Sequence, residues 1–185
     1  MRIGTKSVLF GAHCFFLHPF FVARAWYELY GFPLDPRLWV AFFVHDFGYF
    51  GKPNMDGPEG ETHVEFGAGI MRKLFGDKWG DFCLYHSRYY AKKHDKDPSQ
   101  LCFADKLSFA YTPRWIYLPM VSMTGEINEY LQNAQRSDSQ HWTPTGFDKV
   151  KWHKQLKEYI IKWVNEHKNG AKDTWTAKRH VSCAK

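Results

Sequence analysis

The sequence predicts an all-α fold, a single-domain helical bundle, and three observations carry that expectation. Apolar residues recur at three- and four-residue steps, as in Val22, Ala25, Trp26 and Leu29 or Leu156, Ile160, Trp163 and Val164, and no stretch shows the alternation of a half-buried strand. Helix punctuation is frequent. Asp35-Pro36 and Asp97-Pro98 each pair a capping acid with a proline at the first helical position, His18-Pro19 places proline near a start, and Gly31-Phe32-Pro33 is a stop. With 185 residues, 44% hydrophobic and 18% aromatic, the chain can bury one core without disulfides, and it shows neither internal repeat nor dividing linker.

Taken in order, residues 1–17 hold a short apolar helix that Gly11 loosens. The next helix covers residues 18–30. The helix opened by Asp35-Pro36 is almost wholly apolar, which predicts a central position; it runs into His45-Asp46 and breaks near Gly48. Residues 51–60 are dense in glycine and proline and form a loop, a natural lip for a substrate. A helix begins near Thr62, with Phe66, Ile70, Leu74 and Phe75 as its apolar face and Gly67 and Ala68 allowing close packing. Asp77 caps the following helix, which carries Trp79, Phe82, Cys83, Tyr85 and His86. Ser87-Arg88-Tyr89-Tyr90 and a charged loop over 92–97 lead to the Asp97-Pro98 start of a helix with Leu101, Ala104, Asp105, Leu107 and Ser108. Thr124-Gly125-Glu126 opens a helix to about Gln132, residues 134–146 read as loop, and residues 147–167 form an amphipathic helix with lysines opposite its apolar side. Residues 1–168 therefore make the domain, and 169–185 a basic, frayed C-terminal tail.

Composition narrows the function. Cys14, Cys83, Cys102 and Cys183 form no CxxC pair, which argues against a zinc knuckle or disulfide framework and for free thiols in a reducing cytoplasm. The net charge of +6 owes much to Lys172, Lys178, Arg179 and Lys185 in the tail, and no nucleic-acid motif accompanies it. A phosphorylated small molecule is a better-fitting partner than nucleic acid. Residues 8–22 resemble a signal peptide superficially, but His13, His18 and Pro19 interrupt them and they are too short to span a membrane. The expected location is cytoplasmic, with no membrane partner.

The chemistry gathers at His45-Asp46. Two polar ligand-type residues side by side at the end of an apolar helix are costly to bury without a partner, and a metal ion is one such partner. The other candidate ligands are His18, His63, His86 and Asp105, each on or at the end of a predicted helix, and separate helices of a bundle can converge such residues. Imidazole and carboxylate suit iron, manganese, cobalt, nickel or zinc. The set is large enough for two divalent ions, about 3.5–4 Å apart, sharing a bridging carboxylate and a hydroxide. His13 competes with His18: five residues apart on a helix is a rotation of about 140°, so one helix does not aim both at one ion.

The order His…His-Asp…His…His…Asp resembles the HD-domain superfamily of metal-dependent phosphohydrolases. His18-Pro-Phe-Phe-Val22-Ala23 is similar to the family's first helix, Phe43-Val44-His45-Asp46-Phe47-Gly48 to its signature, and His63-Val-Glu-Phe-Gly67-Ala68-Gly-Ile70 to the second-metal helix of dinuclear members. Tyr85-His86-Ser87-Arg88-Tyr89 resembles the later histidine and Phe103-Ala104-Asp105-Lys106 the closing aspartate, so the likeness covers about residues 8–112. It implies an HD-type bundle in which His18, His45, Asp46 and Asp105 hold the first metal, and Asp46 bridges to a second held by His63 and His86. The Val-Ala context favours His18 over His13, leaving His13 as a core histidine. Spacing is closest to small dinuclear hydrolases such as the symmetrical diadenosine-tetraphosphate hydrolases; phage-type HD nucleotide triphosphohydrolases are also similar.

The implied activity is hydrolysis of a phosphoanhydride or phosphoester bond of a nucleotide or dinucleotide by a metal-bound hydroxide. Asp46 and His45 would stand at the reacting centre, with His86 or Glu59 assisting proton transfer. One departure concerns the lysine that many members carry directly after His-Asp-x-Gly: here Tyr49 stands there, and Lys52 is the nearest lysine. Lys52 and Arg88 are the expected phosphate-binding residues, with Lys106 or Arg114 helping. Tyr89, Tyr90, Trp115 and Tyr117 are candidates to stack on a base or to pack the core. Two alternatives accompany this reading. One is an HD-type di-iron oxygenase of a small organic substrate, whose relatives tend to add a histidine that residues 47–51 lack. The other is a non-enzymatic binding module stabilised by metal.

Overall fold

The computed structural model describes residues 1–136 and 148–170, and all regular structure within them is helical. The elements are α1 (Ile3–Phe10), α2 (His18–Tyr30), α3 (Pro36–Val44), a 3-10 turn (Phe47–Tyr49), α4 (Pro58–Glu61), α5 (Val64–Phe75), α6 (Asp77–Leu84), α7 (Arg88–Lys93), α8 (Gln100–Tyr111), α9 (Arg114–Thr124), α10 (Glu126–Arg136) and α11 (Lys149–His167). The start of α3 follows its sequence signal: the Asp35 carboxylate accepts from the Arg37 backbone N–H at 2.9 Å, and Pro36 occupies the first turn, where its missing N–H costs nothing.

Helix α8 is the centre of the molecule. It packs on α2 and α11 and touches α6, and Leu101, Cys102, Phe103, Ala104, Leu107 and Ser108 are all buried along it. The apolar composition of α3 predicts that place for α3, but α3 contacts only α2 and α5 closely and buries Leu38, Ala41 and Phe42 on one side. The main core joins Val22, Ala25 and Trp26 of α2 to Phe42, Met71, Leu101 and Trp163. A second, smaller core of Tyr117, Val121, Ile127, Leu131 and Trp152 lies between α9, α10 and α11. Cys14, Cys83 and Cys102 are buried thiols outside any disulfide. No helix among the described residues is long and apolar enough to cross a membrane.

Several local expectations are corrected. The buried face of α5 is Val64, Gly67, Ala68 and Met71, whereas Phe66 and Leu74 are 57% and 58% exposed. Closeness of backbones, not side-chain bulk, selects that face: a Cβ on Gly67 would lie 2.5 Å from the Val44 carbonyl oxygen. Asp77 does not cap α6 but is its first residue, paired with Arg72 at 3.2 Å. Asp97-Pro98 does not cap α8; Ser99 holds that position, and its hydroxyl donates to the Phe82 carbonyl at 2.7 Å. Helix α9 forms although Pro119 lies inside it, and α10 continues through 134–136, where a loop is expected. The short α4 occupies the end of the 51–60 loop. The remainder of the expected 134–146 loop, Phe147 and most of the tail, including Cys183, lie outside the described residues.

Candidate metal centre

Five elements deliver the six predicted ligands to one place. His18 opens α2, His45 and Asp46 follow α3, His63 precedes α5, His86 follows α6, and Asp105 sits within α8. All six are buried. The approach of α3 to the His63 region depends on glycine. A Cβ on Gly48 would meet the His63 carbonyl oxygen at 1.9 Å, so no side chain can stand there, and His63 is drawn against the His-Asp turn.

The tautomers of three histidines follow from their partners. Nδ1 of His45 faces the Phe42 carbonyl at 3.0 Å, Nδ1 of His63 the Gly60 carbonyl at 2.8 Å, and Nδ1 of His86 the Cys83 carbonyl. A carbonyl oxygen only accepts, so each Nδ1 carries the proton, and in the neutral ring each Nε2 presents a lone pair. His63 Nε2 lies 3.2 Å from His86 Nε2, and His45 Nε2 lies 3.3 Å from His18 Nε2. In the His63–His86 pair both facing nitrogens lack a proton when the rings are neutral and cannot hydrogen-bond each other, so that pair calls for a cation.

Asp46 lies between the pairs. Its Oδ2 is 3.3 Å from His18 Nε2 and 3.1 Å from His45 Nε2, and its Oδ1 is 3.5 Å from His63 Nε2 and 3.4 Å from His86 Nε2. Asp105 Oδ1 completes the first group at 3.1 Å from His18 Nε2. Two sets can hold a metal ion, His18, His45, Asp46 and Asp105, and Asp46, His63 and His86, with the ligand atoms of each within 4.8 Å of one another. Asp46 Oδ2 is buried with no hydrogen-bond partner, an orphaned acceptor that a cation would satisfy.

Charge in the cluster is strongly coupled. Burial alone would lower the His45 pKa, yet the Asp46 and Asp105 carboxylates raise it to about 10. Burial also opposes ionisation of Asp46 and Asp105, but His45 beside the first and Lys106 beside the second hold both well below the ordinary carboxylate value. His63 is pushed well down, first by burial and then by His86. The cluster thus draws a proton to His45, in the place that a metal ion would contest.

His13 belongs to neither ligand set. Its ring packs edge-on to His18 at 5.7 Å and against Tyr49 at 4.7 Å. Tyr49 in turn stacks on His63 at 3.9 Å with the planes 8° apart, which fixes the imidazole from its face. A cavity of about 250 Å³ opens off this end of the cluster, with His18, Asp105, His13 and Tyr49 in its wall. Lys106 lines it too, with Nζ 3.4 Å from Asp105 Oδ2. Lys52 and Arg88 do not line it: the Lys52 ammonium donates to the Thr62 hydroxyl, and the Arg88 guanidinium lies over the Trp163 ring at 4.7 Å. Glu59 is tied to Asn54 at 2.7 Å, and Glu61 accepts from Ser87 at 3.3 Å.

Of the four aromatic candidates, Tyr117 reaches the cavity; the Tyr90 hydroxyl is bound to Glu65, and Trp115 is 76% exposed. Sequence reading missed Tyr130, Trp152 and Phe109, which add aromatic wall, and the polar Asp56 and Asn133. Their separation along the chain hid them. Phe109 lies on α8, Tyr130 on α10 and Trp152 on α11, and no local pattern links them.

The fold and site together define an all-α protein with a buried histidine–aspartate cluster suited to holding metal. Among known proteins, the chain matches no family model, no curated protein and no solved structure.

Proposed function

We propose that the chain is an HD-type, metal-dependent phosphohydrolase that cleaves a phosphoester or phosphoanhydride bond of a small phosphorylated molecule such as a nucleotide. The observation that carries this reading is Asp46, whose two oxygens each face a different pair of histidines. His18, His45, Asp46 and Asp105 would hold one divalent ion and Asp46, His63 and His86 a second. Two such ions, when bound, polarise phosphoryl oxygens and lower the pKa of the attacking water. The chain supplies the rest. The Nδ1–H···O=C contacts of His45, His63 and His86 lock the rings, so their lone pairs need no reorganisation. Burial of the cluster keeps competing water out and strengthens every charge within it. We assign the phosphate-facing positive charge to Lys106 rather than Lys52, because Lys106 lines the cavity beside Asp105.

The test is metal analysis of the purified chain, followed by anaerobic phosphate release from a panel of nucleotides and sugar phosphates with Mn²⁺, Fe²⁺ or Co²⁺. Release that Asp46→Ala abolishes is expected. Substrate-dependent oxygen uptake without phosphate release would replace the hydrolase with the oxygenase reading. A chain that binds metal and turns over nothing would favour the binding module.

A further inference from the structure

The cavity off His18 and Asp105 has a mixed wall. Asp105 and Lys106 give it charge beside the cluster. Phe109, Tyr117, Tyr130 and Trp152 supply aromatic wall. Tyr130 and Trp152 are nearly parallel, 7° apart with centroids at 6.0 Å. Asp56 and Asn133 line it too, and Asn133 Nδ2 donates to Asp56 Oδ2 at 3.0 Å. Asp56 is held in place: the Glu129 carboxylate accepts from the backbone N–H of Met55 at 3.0 Å and of Asp56 at 2.9 Å.

We infer that this cavity holds the non-reacting part of the substrate, and that this part is one flat, uncharged ring system carrying amino or N–H donors. The substrate would then be a phosphomonoester of nucleoside size, not a dinucleotide or a nucleoside triphosphate. The inference rests on the phosphohydrolase reading above.

Volume, wall chemistry and charge agree on this. Clefts that enclose drug-sized ligands run from about 300 Å³ upward, so a cavity of about 250 Å³ accommodates one ring system and its sugar rather than two. Aromatic faces favour a flat ring, since stacking is tolerant of which ring is stacked. Among the described lining residues Lys106 is the one lysine or arginine, and Asp56 and Asp105 oppose it. A polyphosphate tail would bring several more negative charges into a wall where, among the described residues, Lys106 alone could meet them. The Asp56 carboxylate, already oriented by Asn133, offers acceptor capacity to an incoming amine. In the reaction, the oxygen of water bonds to phosphorus and the P–O bond to the ring-bearing alcohol breaks. The alcohol oxygen leaves with a proton from that water, and no redox partner is required.

The experiment compares kcat/KM of the Mn²⁺-loaded full chain on adenosine 5′-monophosphate, ATP and glycerol 3-phosphate, and separately measures adenosine binding to the metal-free chain by calorimetry. Adenosine monophosphate should exceed each of the others by about tenfold or more. Ala134→Phe, which adds bulk to the cavity wall, should lower the ratio of adenosine monophosphate to glycerol phosphate by about tenfold and abolish adenosine binding. As a second variant, Asp56→Ala should erase a preference for cytidine over uridine monophosphate. Hydrolysis without ring preference, and indifferent to Ala134→Phe, overturns the cavity assignment while the phosphohydrolase reading stands. Adenosine bound by the parent chain but not by Ala134→Phe, with no phosphate released from any substrate, upholds the cavity and sinks the hydrolase. Neither binding nor release overturns both.

Discussion

Two buried carboxylates, Glu126 and Asp46, are partnered in different ways. Glu126 is fully buried and saturated: it accepts from Ser7 Oγ at 2.8 Å, Thr124 Oγ1 at 2.6 Å, Tyr130 Oη at 3.0 Å and the Ala12 N–H at 3.3 Å. Each of these four partners is a neutral donor, and together they tie α1 to the start of α10. Asp46 is surrounded instead by four imidazole nitrogens, and its Oδ2 lacks a hydrogen-bond partner. Burial alone therefore says little about role. A carboxylate whose acceptors are satisfied by neutral O–H and N–H groups holds elements together, whereas one ringed by imidazoles and left with an orphaned oxygen is arranged for a cation.

The contrast can be broken by exchanging its terms. Asp46→Ala should reduce turnover by about 100-fold or more and remove bound metal, while the helical circular dichroism persists. Retained metal stoichiometry in that variant would refute the bridging role. Glu126→Ala should do the reverse in kind, costing about 3–5 kcal/mol of stability because four donors lose their acceptor. Chemical denaturation with metal analysis of the folded fraction reads both effects. Gly67→Ala lies between the two. Its Cβ would sit 2.5 Å from the Val44 carbonyl, so a loss of about 1–3 kcal/mol together with weakened metal binding is expected.

The smallest effect concerns a histidine that belongs to neither cluster. His153 is packed against Phe109 and Tyr117, its Nε2 is buried with no hydrogen-bond partner, and burial, then Lys157 and Arg114, lower its pKa to about 4. An unfolded histidine titrates near 6.5. Between those values the unfolded chain binds a proton that the folded chain refuses, so this group's contribution falls as pH drops from 6.5 toward 4. His153→Leu should flatten that part of the acid limb of the melting temperature and be neutral or slightly stabilising at pH 7. An unchanged acid limb would contradict the burial argument.

Much of the fold was readable in the residues that punctuate it. Asp35-Pro36 caps as its signal says, and Gly31 ends α2 with φ 83°. Asp97-Pro98 carries the same signal and fails, because Ser99 is bound to the end of α6 and the chain enters α8 two residues later. The buried face of α5 is not legible from bulk, because side-chain size is visible in a sequence and backbone contact is not. Gly67 and Ala68, whose small size allows close packing, define that face. At the site, the six candidate ligands are legible as a set because His-Asp adjacency and helix-end positions are local features. The cavity is not, since Asp56, Phe109, Asn133 and Trp152 come from separate elements and meet only when α8, α10 and α11 pack.

The sequence by itself determines the all-helical class, the main helix starts and the identity of the candidate ligands, because periodicity, capping and residue chemistry act over a few residues. Tertiary structure alone decides that Asp46 faces histidines on both of its oxygens and that Lys106 rather than Lys52 lines the cavity. These are matters of direction between helices. Direction is set by how closely backbones approach at Gly48 and Gly67 and by which carbonyl each histidine Nδ1 finds, and neither quantity is carried by a residue's own identity.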